Sequence, residues 1–380
     1  MPAVIDWDLA VATGVRLVRP GPQVSRDEAK NAVTELRRLS REAEGHVKEF
    51  TGIDSAPPEE ATIVDRPGWI RANVDGFKVV LEPLTDKVGS SMPGIVSAVG
   101  SRITGVEVGA VLAFLASRVL GQYELFLPPD PDGNAPTGRL TLVAPNIVHA
   151  ERELAVDPRD FRLWVCLHEE THRVQFTGVP WLREYLQSQM TEFLTISDLD
   201  LSTLLHRMRD VTDAVADAFK GGDSNIIEAI QTPEQKTILD RVTAVMTLVE
   251  GHGDYVMDAV GPSVVPSVAD IRAKFHHRRA GGSRIDQIIR RLLGIELKMK
   301  QYAEGSTFVK AVVNEAGMAG FNRVWTSPNT LPTRQEISDP HLWMHRVLNS
   351  NALPPHNTQN GQNGQNGTTP PTNNDPNNPE

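Results

Sequence analysis

The sequence FRLWVCLHEETHRVQFTGVP at residues 161–180 is the stretch from which the fold and function of this 380-residue chain are predicted. His168 and His172 are four residues apart, so on a helix their imidazoles lie on one face and can bind one metal cation. Glu169 lies at the edge of that face, and this H-E-x-x-H spacing is typical of metal-dependent hydrolases. Glu170 falls on the opposite side of the helix, where we expect it to face solvent.

The sequence marks both ends of this helix. Asp157 can cap its N-terminus and Pro158 suits the first helical position, while Gly178 is typical of a helix end. Phe161 and Trp164 share the histidine face at helical spacing, which predicts that the metal-binding side packs against the core. The alternative is a buried helix whose two histidines make ordinary hydrogen bonds and bind no metal.

Composition and charge narrow the possible function classes. A hydrophobic share of 40% supports a substantial core and predicts a globular protein. The formal net charge of -10 argues against nucleic acid as a partner, and the basic cluster at 276–279 is too short to reverse that expectation. The single cysteine, Cys166, indicates a reducing compartment. With no signal-like N-terminus and no apolar run of ~18 residues, we expect a cytoplasmic protein that makes no membrane interaction.

Strand signals are concentrated just before the central helix. The segments YELFLP at 123–128 and RLTLVAP at 139–145 alternate apolar and polar residues around a turn-rich insert, which predicts a β-hairpin. An exposed strand edge beside a metal site can hold an extended peptide through main-chain hydrogen bonds. The protein can equally cover such an edge itself.

Helical patterns predominate elsewhere, so the predicted fold class is α+β, mainly α-helical, with a small hairpin beside the H-E-x-x-H helix. Residues 1–150 are expected to form an N-terminal helical region that includes the hairpin at 123–145. Residues 151–349 are expected to form the helical core with the metal site, in one unit with the N-terminal region. Residues 350–380 are rich in Asn, Gln, Gly, Thr and Pro and are predicted to be disordered.

The apolar run at 93–120 predicts a buried helix in the N-terminal region. Gly105 and Gly109 are four residues apart within it, so they share one helical face. We therefore expect another helix to cross this face at close range.

A catalytic zinc site usually has three protein ligands and a water molecule, so the two histidines need a third partner. The extended H-E-x-x-H-x-x-G-x-x-H signature is excluded, because the chain has Gln175 and Gly178 where that signature needs glycine and histidine. The segment TLVEGHGDYVMD at 247–258 offers Glu250 and His252 on opposite edges of a buried helical face. The helical wheel alone does not choose between these two residues.

Asp254 favours Glu250 as the third ligand because, one turn later, it can accept a hydrogen bond from the free N–H of a ligand histidine. His252 is then expected near the site without binding the metal. Gly253 lies in the buried face, where glycine costs about 1 kcal/mol relative to alanine, so we expect the backbone of the metal helix to approach it. His206 is a weaker candidate ligand.

At these residues the chain resembles the zincin metallopeptidase superfamily, in the branch where H-E-x-x-H is followed by E-x-x-x-D on a second helix. The segments HEETHRVQF, EGHGDYVMD, LGIELKMKQYAEGSTFV and WTSPNTLPTRQEISDP look like a bacterial family of zincin-like hydrolases. The resemblance covers most of residues 5–348 and implies a zincin-like fold and a zinc site. Some members are labelled as associated with deazaflavin coenzyme biosynthesis, but no glycine-rich phosphate loop follows a strand here to bind that coenzyme.

The motifs and the resemblance together predict a zinc-dependent metallopeptidase that acts on a peptide or protein. His168, His172 and Glu250 are the expected ligands of Zn²⁺. Two other functions stay open, namely an interaction protein of the same fold without activity and a zinc amidohydrolase or esterase that does not cleave peptides. The sequence indicates no particular oligomeric state.

The predicted chemistry needs a general base and an oxyanion donor in addition to the metal ligands. Glu169 is expected to take a proton from the attacking water and to deliver it to the departing amine. Tyr255, Tyr302 and His252 are open candidates for the donor that stabilises the oxyanion.

Overall fold

The computed structural model describes residues 5–56, 59–89, 94–130, 132, 138–196, 233–280 and 295–349. Its helices in chain order are α1 (Trp7–Leu17), α2 (Arg26–Thr51), α3 (Arg66–Gly89), α4 (Gly94–Ala116), α5 (Ala144–Leu154), α6 (Pro158–Gly178), α7 (Pro180–Ile196), α8 (Pro233–Val264), α9 (Val268–Ala280), α10 (Ile295–Phe321), α11 (Arg334–Ser338) and α12 (Pro340–Val347). Its strands are β1 (Thr62–Val64), β2 (Gly121–Glu124) and β3 (Arg139–Val143). The predicted class, α+β and mainly helical, is confirmed. The predicted disordered tail at 350–380 and the candidate His206 lie outside the described residues.

The three strands form one small sheet in the order β1-β3-β2. Strands β2 and β3 are antiparallel, with Gly121 opposite Leu142 and Tyr123 opposite Leu140, so the predicted hairpin is confirmed. Strand β2 begins at Gly121, two residues before the predicted start, and ends at Glu124. Strand β1 pairs in parallel with β3 and was not predicted.

Helices cover both faces of this sheet. Leu140 and Leu142 of β3 point into the main core, which they share with α6. Val143 joins a second, smaller apolar cluster that includes Trp69 of α3. On the same side, the Trp69 indole N–H donates to the Gln122 side-chain oxygen of β2 at 2.9 Å. The central strand β3 is therefore buried on both faces, whereas β1 and most of β2 are half-buried, and α6 is packed directly against the sheet.

Helix α6 begins and ends as its sequence predicts. The side chain of Asp157 accepts a hydrogen bond from the backbone N–H of Asp160, and Pro158 occupies the first turn. The last helical residue is Gly178, packed against the backbone of Asp54, where a Cβ would lie 2.9 Å from the carbonyl oxygen. The apolar residues of the histidine face, Phe161 and Trp164, are both buried, as predicted.

The prediction that Glu170 faces solvent is wrong. This side chain is only 2% exposed, because α2 packs against the side of α6 that the sequence pattern left without a partner. The Ser40 hydroxyl of α2 and the Arg173 guanidinium both donate to its carboxylate, and Arg173 also contacts Glu44 at 2.8 Å. Burial raises the pKa of Glu170, an effect that the positive charge of Arg173 opposes. A buried ionic network therefore joins α2 to α6.

Helix α4 crosses α1 at the two predicted glycines. A Cβ added at Gly105 would lie 2.5 Å from the Asp6 carbonyl oxygen, and one at Gly109 would lie 2.5 Å from the Ala10 carbonyl oxygen. Over residues 101–116, where side-chain exposure is described, the helix is buried on this face and exposes Ile103, Val106 and Val111 on the opposite one by 41%, 45% and 42%. Across the described ranges, no helix combines the length and apolar character that crossing a membrane requires.

Helix α8 makes the second close crossing, with α10. A Cβ at Gly251 would lie 2.1 Å from the carbonyl carbon of Gly305, and one at Gly305 would lie 2.0 Å from the Thr247 carbonyl oxygen. The two backbones can meet this closely only because neither helix has a side chain at the crossing point. The crossing holds α8 between α10 on one side and α6 on the other.

Candidate metal centre

Helices α6 and α8 bring three nitrogen and oxygen donors together. The Nε2 atoms of His168 and His172 are 3.1 Å apart. Oε2 of Glu250 lies 3.6 Å from the first nitrogen and 3.5 Å from the second. Zinc–ligand bonds of about 2.0–2.1 Å in a tetrahedron place neighbouring donors about 3.3 Å apart. The three donors therefore already have the separations that one tetrahedral zinc ion requires.

The donor set is buried, but it is not closed. The side chains of His172 and Glu250 are 10% and 11% exposed, whereas that of His168 is 22% exposed. The two imidazoles meet edge to face, with ring centroids 4.6 Å apart and an interplanar angle of 82°. In a structural zinc site four protein ligands surround the ion, whereas a catalytic site has three and leaves the fourth coordination position to water or substrate. Here the side nearest His168 is the more exposed one.

The electrostatics of the three donors suit a cation. Burial lowers the pKa of His172, but the hydrogen bond and negative charge of Glu250, followed by the charge of Glu169, raise that pKa to about 9. Without metal, the pocket thus holds a proton at neutral pH. A divalent cation at the same point would replace that proton and interact with the same negative charges.

Glu169 is buried against the sheet and interacts electrostatically with one of the three donors. It is 6% exposed, and its charge acts on His172. Gly121 of β2 packs directly on it, because a Cβ at that glycine would lie 2.8 Å from the Glu169 Cγ and Cδ atoms. The start of β2 thus passes beside the carboxylate predicted to act as the general base.

Gly253 faces α6, but its nearest neighbours differ from those that the sequence predicted. The groups in front of it are the imidazoles and not the helix backbone. A Cβ there would lie 3.3 Å from Cε1 and Nδ1 of His168 and 3.5 Å from Cε1 of His172. The close backbone contact of α8 occurs two residues earlier, at Gly251, and involves α10.

His252 lies near the donors and is not one of the three. It is fully buried, and its ring stacks on Phe321 with centroids 5.1 Å apart. Burial, and then the charge of His172, lowers the pKa of His252 to about 3, so its imidazole is neutral. Its Nδ1 lies 2.9 Å from Nε2 of Gln175, a residue that the sequence reasoning did not place at the site. The available signal was a polar residue three positions after His172 on a buried helix.

The outer nitrogen of His168 contacts a second residue that the sequence reasoning missed. Its Nδ1 lies 3.2 Å from the thioether sulfur of Met257, which is buried on α8. Asp254 is half-buried one turn after Glu250, and its charge acts on Arg272 of α9. Its predicted role as a hydrogen-bond acceptor for a ligand histidine stays a prediction.

The two tyrosine candidates for oxyanion stabilisation stay predictions. The ring of Tyr255 is half-buried and packs against Phe50 of α2, with centroids 6.1 Å apart. Tyr302 belongs to α10, but its side chain lies outside the described residues.

A mainly helical fold in which the H-E-x-x-H helix packs on a small sheet defines a zincin-like protein. The family model described as zincin-like metallopeptidase matches residues 5–344. The chain belongs to this family.

A crystal structure from Chloroflexus aurantiacus, of a candidate hydrolase described as having a novel fold, is similar to this chain with a TM-score of 0.65 and 30% sequence identity. The match covers 90% of this chain and 98% of that one. No curated protein matches the chain. The family and this neighbour support a hydrolase, while the deazaflavin association stays a prediction.

Proposed function

We propose that this protein is a zinc-dependent metallopeptidase. The observation that carries the proposal is the convergence of His168, His172 and Glu250 at separations of 3.1–3.6 Å, with Glu169 beside them. Two imidazoles and one carboxylate are a common donor set of catalytic zinc. The family membership of the chain supports the same chemistry.

Each residue of the site has a distinct part in this proposal. His168, His172 and Glu250 hold the zinc ion, which when bound lowers the pKa of a water molecule to about 7 and polarises a carbonyl group. The Glu169 carboxylate accepts a proton from the attacking water and then donates it to the nitrogen of the departing amine. Its burial against Gly121 limits the water around it and holds the carboxylate in one place.

The proposed substrate is a peptide or protein bound in an extended conformation. In the described part of the sheet, β2 is an edge strand, and it begins at the glycine that touches Glu169. A peptide that pairs with this edge through main-chain hydrogen bonds would run past Glu169, the proposed general base. Because such pairing uses only the backbone, it would not depend on the side chains of the peptide. A cytoplasmic location is part of the proposal, supported by the single, buried Cys166.

The test is hydrolysis of a quenched fluorescent peptide library by protein purified without a nickel column, with and without a chelator. Cleavage that stops with the chelator and returns with zinc supports the proposal. Zinc binding without cleavage, together with hydrolysis of small esters or amides, would point to a zinc esterase or amidohydrolase. Zinc binding without any hydrolysis would leave an interaction protein. Turnover by a pure Glu169→Gln variant at the wild-type rate would refute the assignment of the base.

A further inference from the structure

Gln175 connects the candidate ligand His172 to a second, deeper histidine. It is fully buried, three residues after His172 on α6. Its side-chain oxygen lies 3.0 Å from Nδ1 of His172. Its side-chain nitrogen lies 3.0 Å from the Val249 carbonyl oxygen and 2.9 Å from Nδ1 of His252.

The Val249 carbonyl decides the orientation of this amide. A carbonyl oxygen only accepts hydrogen bonds, so the Gln175 atom facing Val249 must be the NH₂ group. The amide oxygen then faces His172, whose Nδ1 must carry a hydrogen to donate to it. A neutral imidazole protonated on Nδ1 has its lone pair on Nε2, which is the atom directed at Glu250 and His168.

The same amide determines the tautomer of His252, that is, which ring nitrogen carries the hydrogen. The second N–H of Gln175 points at Nδ1 of His252, so that nitrogen must accept and the imidazole must carry its hydrogen on Nε2. Aromatic side chains hold the ring in this orientation. Phe321 stacks on it at 5.1 Å between centroids, and Trp325 meets it at 61° and 5.6 Å.

We propose that Gln175 and His252 are positioning residues that hold His172 in the tautomer able to bind zinc through Nε2. This inference rests on the proposed zinc site. His252 acts through Gln175, because it accepts from the amide and is not one of the donors grouped at the site. Ligand histidines usually donate to a partner in this way, and loss of the partner typically costs 10- to 100-fold in metal affinity.

A neutral amide in this place has a chemical consequence. A carboxylate bonded to Nδ1 makes a ligand imidazole more basic and a better electron donor to the metal. Gln175 fixes the orientation of His172 without adding a further negative charge to a site that already contains Glu250 and Glu169.

The test is the zinc affinity, measured by chelator competition, of wild type, Gln175→Met, His252→Phe and the double variant. Methionine and phenylalanine keep the volume and remove the hydrogen bonds. We expect a 10- to 100-fold loss for Gln175→Met and a smaller loss for His252→Phe, because Val249 still holds the amide. The double variant should match Gln175→Met, since His252 has no separate route to the metal.

Nitrogen-15 NMR of the histidine side chains gives a readout that needs no variant to fold. In zinc-loaded wild type, we expect hydrogen on Nδ1 of His172 and on Nε2 of His252. The opposite tautomer at either ring, an unchanged zinc affinity in folded Gln175→Met, or losses that add in the double variant would overturn the inference. Wild-type protein that binds no zinc would instead overturn the proposed function, so the two failures are distinguishable.

Discussion

Substitution of Gly253 by alanine tests whether the two imidazoles are held where a metal needs them. The new Cβ would lie 3.3 Å from Cε1 and Nδ1 of His168 and 3.5 Å from Cε1 of His172. Favourable contacts between such atoms begin at about 3.5–4.0 Å, so the His168 ring must retreat by about 0.3 Å. Coordination tolerates deviations of about 0.2 Å. The metal-bound geometry is therefore disturbed by one methyl group.

The sizes of the opposing effects can be estimated. Alanine is better than glycine in a helix by about 1 kcal/mol, and without metal the rings can rotate away, so the metal-free protein should not lose stability. In the zinc-bound state the rings cannot rotate, and overpacking of this kind costs about 1–3 kcal/mol. This cost corresponds to a zinc affinity about 5- to 150-fold weaker.

Gly45→Ala is the matched control, because Gly45 lies within α2 and has nothing within 4 Å of its would-be Cβ. It should gain a similar helical stability and keep the wild-type zinc affinity. Urea denaturation in the presence of a chelator measures the stability, and competition with a fluorescent chelator measures the zinc affinity. If Gly253→Ala binds zinc as tightly as Gly45→Ala and wild type, the reasoning from the imidazole contacts is refuted.

Three further predictions follow from the same geometry. Glu169→Gln should keep zinc and lose about 10²- to 10⁴-fold in peptide turnover, because only the proton acceptor is removed. Metal analysis measures the zinc content, and a fluorogenic peptide assay measures the turnover. The apparent zinc affinity should rise about tenfold for each pH unit up to about pH 9 and level off above it. The reason is that zinc must displace the proton of His172, whose pKa is raised to about 9. Chelator competition at a series of pH values measures this, and a flat profile would contradict it. Gly251→Ala should lower the free energy of unfolding by about 1–3 kcal/mol, because its Cβ would lie 2.1 Å from Gly305, and an unchanged urea midpoint would count against the crossing.

Local signals sufficed for the parts of the fold that are determined within a few residues. The Asp157 cap, the Pro158 start and the glycine at position 178 set the length of α6 correctly. Strand β1 was missed because it is three residues long and pairs with β3 residues 79 positions later, such as Thr62 with Thr141, so nothing nearby in sequence indicates it. The error at Glu170 has the same origin. Arg173 lies only three residues away on α6, but Ser40 and Glu44, which bury this pair, belong to α2 and are distant in sequence.

The site was predictable where spacing decides geometry. His168 and His172 lie together because a helix repeats every 3.6 residues, and the structure adds Glu250 to them. The helical wheel of α8 could not show which of Glu250 and His252 lies beside the two histidines, because that depends on how α8 crosses α6. Gln175 was overlooked for a related reason, since two of its three hydrogen bonds extend to α8. Within α6, its bond to His172 is indicated only by their three-residue spacing.

The most direct test of the zinc site is the metal content of wild type and Glu250→Ala, purified without a nickel column and measured by mass spectrometry. The convergence of three donors predicts about one zinc ion per wild-type chain and much less in the variant, with nitrogen and oxygen neighbours in the zinc X-ray absorption spectrum. Wild-type protein without zinc, or a Glu250→Ala variant that retains its full complement, would contradict the site.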